Sequence, residues 1–209
     1  MDFRRSQSIA TYRERGRATL IYGPRRIGKT TMVRRYLSDI GNASRTRYDI
    51  GDDLALQKLL GSRIRADILA HVAPYEVVVI DEAQQIPHIG IAAKMIVDAF
   101  PEKHLILTGS SSFDLAREAG EPLTGRHYVM EMLPIGWEEI AGGDFDRSSS
   151  LEELLVYGAY PEVLLASDRI EKELKLKELI ASYLFKDILT LDRIKSPHLL
   201  LSILQALAW

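Results

Sequence analysis

The sequence contains no cysteine, so it forms neither disulfide bonds nor thiolate metal sites. Its five histidines are scattered, without the spacing of a set of metal ligands. The 27 Lys and Arg residues nearly balance the 29 Asp and Glu residues, and the net charge of −2 excludes an overall basic field for nucleic acid, although not a local patch. No apolar run reaches the roughly 18 residues of a membrane span, and the polar start shows no signal peptide. We therefore predict a cytoplasmic protein with no membrane partner.

What the sequence does contain is a stretch that fits a phosphate-binding loop. Residues 23–30 match the spacing G-x-x-x-x-G-K-[ST] without a mismatch. The apolar residues 18–22 predict a strand, and residues 32–40 carry apolar side chains at helical spacing, with Gly41 as a stop signal. A strand, a glycine-rich loop and a helix in this order favour a phosphate-binding loop over a chance turn. The length of 209 residues allows one such nucleotide-binding domain and a smaller appendage.

The chemistry of this loop would come mainly from its backbone. Gly23 and Gly28 permit dihedrals that let successive N–H groups curl around a phosphate, and the following helix adds the positive end of its dipole. Lys29 is predicted to reach the β- and γ-phosphates, and the Thr30 hydroxyl to ligate Mg²⁺. The residues that we predict to bind the nucleotide are Gly23, Pro24, Arg25, Arg26, Ile27, Gly28, Lys29, Thr30 and Thr31.

A second chemical element follows about 50 residues downstream. The β-branched run 77–80 predicts a strand that is buried on both faces, as in a parallel sheet. Asp81 and Glu82 come at its carboxyl end, where open α/β sheets bind ligands. Asp81 is predicted to hold Mg²⁺ through water, and Glu82 to polarise the attacking water as a general base. The alternative is that both acids cap the next helix. The presence of a second acid favours hydrolysis over binding alone.

A polar turn ends another predicted strand. Residues 104–112 read as a strand followed by hydroxyl side chains, and Thr108 and Ser110 would lie at the same edge of the sheet as Asp81. A hydroxyl there is placed to orient the lytic water or to contact the γ-phosphate. The alternative, a helix N-cap by one of residues 110–112, is compatible with that role.

The remaining pattern predicts an α/β domain over residues 1–145 and a helical segment over residues 150–195. A capping box at Ser150 and Glu153 and an N-cap at Asp168 mark helices of the second part. Further predicted elements are a strand at 46–50, one helix at 54–72, a helix near 89–100, a short helix at 113–119, a strand at 127–133, a helix from 137 and a polar linker at 142–150. The apolar stretch 199–209 needs a partner, either a further domain or another subunit.

Several short segments in order resemble bacterial and archaeal AAA-type ATPases that carry an uncharacterised C-terminal domain, close to the STAND branch of the AAA+ superfamily. The resemblance covers about residues 15–195. The segments that carry it are 23–31, 81–87, 107–111, 123–126, 133–135, 157–162 and 183–188.

The resemblance implies a P-loop NTPase fold of the AAA+ ASCE type: α/β, with a five-stranded parallel sheet in the order 5-1-4-3-2, followed by a helical lid. It makes Thr108 or Ser110 the sensor 1 position. It places Arg126 where many AAA+ proteins have an arginine finger, the alternative being an ion pair with a nearby acid. Pro161 resembles the Gly/Pro element of STAND lids, which lies near the base. It also makes residues 196–209 the start of a truncated, winged-helix-like C-terminal segment.

We therefore predict an ATP-binding protein that hydrolyses ATP with Mg²⁺ and acts as a molecular switch or remodeller. ATP is favoured by the resemblance, since no guanine-reading N-K-x-D stands in the chain. The predicted partners are ATP and ADP, further copies of the chain if Arg126 acts in trans, and a protein or DNA partner through the missing C-terminal part. The alternatives are a nucleotide-gated regulatory or DNA-binding module with little turnover, and a small-molecule kinase, for which the paired acids 81–82 have no clear use.

Overall fold

The computed structural model describes residues 3, 5–41, 44–110, 123–141, 147–181, 202, 203 and 206. The chain divides into two compact units, residues 2–143 and residues 144–209. Among the described helices, none is both long and apolar enough to cross a membrane.

The first unit is built on a five-stranded sheet in which every pair of neighbouring strands is parallel. Its order is β2-β3-β4-β1-β5, which is the order that the resemblance implies, counted from the other edge. The strands are β1 Ala18–Tyr22, β2 Thr46–Ile50, β3 Val77–Asp81, β4 His104–Gly109 and β5 His127–Glu131. β3 and β4 are buried along their whole length. Because all strands run the same way, the segments after β1, β3 and β4 meet at one edge of the sheet.

Helices cover the sheet and close its core. They are α1 Lys29–Ile40, α2 Leu54–Gly61, α3 Arg65–Val72, α4 Ile89–Ala99 and α5 Trp137–Ala141, with short 3₁₀ turns at Ile9–Tyr12 and Ala83–Gln85. The apolar faces of α2, α3 and α4 bury residues such as Leu60, Ile68 and Ile96 against the sheet. Burial of one such side chain contributes about 1.5–3 kcal/mol to stability. This core therefore stabilises the sheet, including the edge at which β1, β3 and β4 end.

The predicted single helix at 54–72 is wrong, because the chain breaks into α2 and α3. The Ser62 hydroxyl donates to the Leu59 carbonyl (2.7 Å) and accepts from the Ile64 N–H (3.0 Å), and Arg63 has a positive φ of 61°. A serine that bonds its own backbone competes with the helix ladder. Apolar spacing continues across the break, so periodicity does not reveal it.

The fifth strand is shorter than predicted, since it ends at Glu131 rather than at residue 133. The Met132 N–H still donates to the Tyr22 carbonyl (2.7 Å), and the chain then turns away through Pro134. The predicted helix at 113–119 lies outside the described residues.

The second unit is helical in its described part. Its helices are α6 Arg147–Tyr157, α7 Pro161–Leu164 and α8 Arg169–Leu179. Two predictions are wrong here: residues 147–150 are helical rather than linker, and Ser150 lies inside α6 and does not cap it. The N-cap at Asp168 is confirmed, because its Oδ1 accepts from the Glu171 N–H (2.8 Å). The role of this unit as a lid stays a prediction, and nearly all of 196–209 lies outside the described residues.

Candidate nucleotide-binding site

At two points the loop between β1 and α1 adopts a backbone that favours glycine. Gly23 has φ 154°, and a Cβ atom there would lie 2.1 Å from the Met132 carbonyl oxygen. Gly28 has φ 92° and precedes the first turn of α1. Arg26 also has a positive φ of 60°. Since α1 begins directly after Gly28, the N–H groups of its first turn face the loop.

Lys29 lies across its own loop. Its side chain is buried, with 6% of the residue exposed, and its Nζ donates to the carbonyls of Gly23 and Pro24, both at 2.8 Å. An ammonium group that is held on carbonyl oxygens at the loop entrance is placed to exchange them for phosphate oxygens.

Asp81 is the centre of a hydroxyl cluster, which we define as Thr30, Tyr48, Asp81 and Thr108. The Thr30 hydroxyl donates to Asp81 Oδ2 (2.9 Å), the Tyr48 hydroxyl donates to the same oxygen, and the Thr108 hydroxyl donates to Oδ1. Only 6% of Asp81 is exposed. The structure thus brings together three residues that the sequence singles out, at the edge where β1, β3 and β4 end.

Tyr48 is the member of this cluster that sequence reasoning missed. It lies in β2, where Ile50 pairs with Asp81 and Tyr48 pairs with Val79. Residues two apart in a strand share a face, so Tyr48 is a diagonal neighbour of Asp81, within reach of a long side chain. Burial and the hydrogen bond to Asp81 raise the pKa of Tyr48 well above its ordinary value, so the phenol stays a donor. The amino-acid pattern does not indicate this contact, because it depends on the order and register of the strands.

Glu82 directly follows the cluster and has an unusual backbone. Its φ and ψ are 51° and 42°, the left-handed region, which costs a non-glycine residue of order 1 kcal/mol. Its N–H donates to Thr108 Oγ1 (3.2 Å). Gly51 makes this conformation possible, because a Cβ atom at Gly51 would lie 2.2 Å from the Glu82 carbonyl oxygen. Backbone strain of this kind is typical of functional positions.

The Glu82 carboxylate is held by its own chain. Gln84 Nε2 donates to Glu82 Oε2 (2.5 Å) and to Ser110 Oγ (3.3 Å). The other amide atom, Gln84 Oε1, is buried and has no hydrogen-bond partner among the described residues. Ser110 therefore lies beside the predicted base. Its alternative role as an N-cap concerns a helix outside the described residues.

The structure does not bring Arg126 to this site. Arg126 precedes β5, and its carbonyl accepts from the Ala18 N–H (2.8 Å) at the beginning of β1, whereas the phosphate-binding loop follows the end of β1. Five residues of strand separate these edges by about 16 Å. Arg126 Nε instead pairs with Asp98 Oδ1 (2.7 Å), with both side chains substantially exposed. The ion-pair alternative is thus the one observed within this chain.

Pro161, predicted to lie near the base, occupies the first position of α7 in the second unit. Proline is favoured there because its missing N–H has no helical partner in any case. Its proximity to a nucleotide stays a prediction.

The oxygens around Asp81 fit a magnesium ion. Among the described residues, no group of three or more His, Cys, Asp or Glu side chains could hold a metal. Mg²⁺ is commonly bound by one or two protein oxygens, the remaining ligands being phosphate and water. The Thr30 hydroxyl and the Asp81 carboxylate, in contact at 2.9 Å, supply such a pair.

Comparison with known families decides the identity of this module. The model of a family described as an AAA domain matches residues 15–141. The chain belongs to this AAA family. The match spans β1 to α5 and includes the loop, the hydroxyl cluster and Glu82. A second model, described as a domain of unknown function (DUF8612), matches residues 148–209.

Individual relatives are more distant. The uncharacterised protein MJ1544 of Methanocaldococcus jannaschii is 28% identical over 106 residues, which are 44% of this chain and 24% of that protein; the chain thus spans about a quarter of this relative's length. Similar solved structures include a DNA replication initiation factor (TM-score 0.44, 17% identity, 80% of this chain and 56% of that one) and domain III of the Thermotoga maritima replication initiation protein DnaA (TM-score 0.44, 16% identity, 79% and 86%). The flagellar accessory protein FlaH of Methanocaldococcus jannaschii is similar at TM-score 0.41 and 12% identity (59% and 74%).

Proposed function

We propose that this protein binds ATP with Mg²⁺, hydrolyses it, and uses the nucleotide as a molecular switch or to remodel a partner. The observation that carries the proposal is the convergence of the Thr30 and Thr108 hydroxyls on the two oxygens of Asp81. This convergence lies at the edge of the sheet that also presents Lys29 and Glu82. The AAA family match supports the same chemistry.

The nucleotide phosphates would be held by the loop backbone and by Lys29. The N–H groups at the beginning of α1 supply donors and the positive end of a helix dipole. Lys29 would release the carbonyls of Gly23 and Pro24 and donate to phosphate oxygens. The residues 23–31 would therefore bind ATP and ADP through the same set of donors.

Mg²⁺, when bound, neutralises charge on the phosphates and polarises the group that is transferred. Thr30 Oγ1 would ligate the ion, and Asp81 would hold it through water. Thr108 and Tyr48 each donate to the Asp81 carboxylate, so they fix its orientation. Fixed oxygens reduce the reorganisation that metal binding would otherwise require.

Glu82 would accept a proton from the attacking water as a general base. Its Oε2 accepts a hydrogen bond from Gln84, which orients the carboxylate and leaves further acceptor positions for a water. The second candidate function, a nucleotide-gated regulator with little hydrolysis, is supported by the ion pair that keeps Arg126 away from the site in this chain. Arg126 would complete the site only if another copy of the chain supplied it.

The proposal is tested by Mg²⁺-dependent binding of ATP and release of phosphate. Lys29→Ala should abolish nucleotide binding or nearly so, because it removes the cation that contacts the phosphates; unchanged affinity would overturn the assignment of the loop. Glu82→Gln should keep Mg·ATP binding and lose hydrolysis. Tight binding with negligible release by the wild type would instead establish the gated regulator.

The partner that a switch or remodeller requires is also a proposal. We propose that a protein or DNA partner acts through the region that follows the α/β unit, which the model of unknown function matches over 148–209. Binding that weakens steeply with salt would indicate DNA, and nucleotide-dependent binding with little salt dependence would indicate a protein.

A further inference from the structure

The Arg5 side chain joins the phosphate-binding loop to the segment after β5. One terminal nitrogen, Nη2, donates to the Ile27 carbonyl (2.8 Å) and to the Leu133 carbonyl (2.8 Å). The other, Nη1, donates to Glu139 Oε2 (2.9 Å). The Arg5 and Glu139 side chains are only 13% and 9% exposed. We call these residues, with Ile27 and Leu133, the Arg5 clamp.

Glu139 is satisfied on both oxygens. Its Oε1 accepts from the backbone N–H (2.6 Å) and the hydroxyl (2.9 Å) of Ser6, and its Oε2 accepts from the Gly136 N–H (3.0 Å) in addition to Arg5. Burial opposes ionisation, but the hydrogen bonds from Ser6, Gly136 and Arg5 outweigh it and hold the pKa of Glu139 below its ordinary value. Arg5 therefore pairs with a charged side chain of α5, which lies outside the loop.

The bond to Ile27 fixes one peptide of the loop. In a trans peptide the C=O and N–H groups point in opposite directions. Because the Ile27 carbonyl faces Arg5, the N–H of Gly28 faces away from Arg5. Gly28, with φ 92°, has the conformational freedom to let this peptide turn over. A reversed peptide would replace a donor for phosphate with an acceptor.

We propose that Arg5 is a positioning residue for nucleotide binding, which holds the peptide between Ile27 and Gly28 with its N–H directed into the phosphate-binding loop. This inference rests on the proposed binding of nucleotide. The fork of a guanidinium suits the task, because one side chain spans two carbonyls and a carboxylate. A lysine has a single nitrogen, so it could reach all three acceptors only if they surrounded that one atom.

The test compares Arg5→Ala and Arg5→Lys with the wild type in the full chain. Loss of one donor to the phosphates should weaken the binding of both Mg·ADP and Mg·ATP, by about tenfold for Arg5→Ala and about threefold for Arg5→Lys. Hydrogen exchange in the nucleotide-free protein should become faster in peptides that cover residues 23–31, with exchange in β3 and β4 unchanged. Equal loss for both nucleotides is expected because the loop backbone contacts the phosphates that they share.

Arg17→Ala is the matched control. Arg17 also lies in the chain before β1, pairs with Glu14 (3.1 Å) and stacks on Tyr128 (4.8 Å). It directly precedes the first residue of β1, at the opposite end of that strand from the loop. It should leave both affinities and the exchange of residues 23–31 at wild-type values.

The outcomes separate the two proposals. Wild-type affinity in Arg5→Ala overturns the role of Arg5, as does faster exchange spread evenly over the whole first unit. If Arg5→Ala fails to fold, Arg5→Lys decides by the same two measurements. A wild type that binds neither nucleotide overturns the proposed function, and exchange in the nucleotide-free variants then still shows whether Arg5 orders the loop.

Discussion

Two aspartates on neighbouring strands have opposite surroundings. Asp81, at the end of β3, accepts hydrogen bonds from three hydroxyl groups. Asp49 lies in the adjacent strand β2. Its Oδ1 and Oδ2 both accept from Arg47 Nε (3.0 and 2.9 Å), and its Oδ2 also accepts from His71 Nε2 (2.8 Å). Among the described residues no Lys, Arg or His forms an ion pair with Asp81, whereas Asp49 pairs with two of them.

The difference supports the proposed role of Asp81 in metal binding and a structural role for Asp49. Hydroxyl donors orient the Asp81 carboxylate without neutralising it, so its charge is available to the proposed Mg²⁺. The Asp49 carboxylate instead pairs with Arg47 in β2 and with His71 in α3, and so connects the strand to the helix. Burial alone would raise the pKa of Asp49, but the hydrogen bonds from His71 and Arg47 hold it below its ordinary value.

The largest effect is expected for Asp81→Asn. The amide keeps the size of the side chain but removes the charge that holds Mg²⁺, so Mg²⁺-dependent phosphate release should fall by roughly 100-fold or more. Steady-state turnover at saturating ATP measures this effect. Asp49→Asn is the control and should retain wild-type turnover; equal losses in the two variants would remove the contrast between the aspartates.

Asp49→Asn should instead lower the free energy of unfolding by about 1–3 kcal/mol at pH 7, because a half-buried arginine and a histidine lose a charged partner. A carboxyl group whose pKa is lower in the folded state stabilises above its unfolded pKa, and that contribution is lost as the pH falls through the folded pKa. The difference between variant and wild type should therefore shrink below about pH 4. Urea titrations at several pH values measure it. A difference that stayed constant down to pH 2 would contradict the ion-pair explanation.

Tyr48→Phe should have a smaller effect on the same site. The ring is kept and one donor to Asp81 Oδ2 is lost, so the Mg²⁺ concentration for half-maximal turnover should rise by about three- to tenfold, with little change in turnover at saturating Mg²⁺. Tyr75→Phe is the matched control, since the Tyr75 hydroxyl accepts from Arg47 (3.3 Å), the arginine that pairs with Asp49. A shift of equal size in both variants would mean that Tyr48 acts on stability only.

The smallest effect is expected for Arg126→Ala at low protein concentration. Its ion pair with Asp98 is exposed, and such pairs contribute about 0–1 kcal/mol, so turnover of the isolated chain should not change. Asp98→Asn breaks the same pair and leaves the arginine in place. If turnover per chain rises with protein concentration, and only Arg126→Ala removes that rise, another copy of the chain supplies the arginine. Equal behaviour of the two variants would make Arg126 a structural residue.

Much of the site was accessible from the sequence because its parts are local. The apolar run at 18–22, the β-branched run before Asp81 and the first part of residues 104–112 each predict a strand, and those strands are confirmed. The error at Ser62 has a clear physical origin: the periodicity of apolar residues does not show where α2 ends, since hydrogen bonds between the Ser62 side chain and the backbone decide that point.

The amino-acid pattern is sufficient to predict a phosphate-binding loop, a magnesium aspartate and a general base, because each depends on residues that are adjacent in the chain. The folded chain adds what depends on neighbours in space. Strand register brings Tyr48 to Asp81, the backbone of Gly51 admits the strained Glu82, and the chain before β1 brings Arg5 to Ile27. Arg126 and the loop lie at opposite ends of β1, so the length of that strand separates them. A contact such as that of Tyr48 with Asp81 arises only when the parallel strands pair in this register.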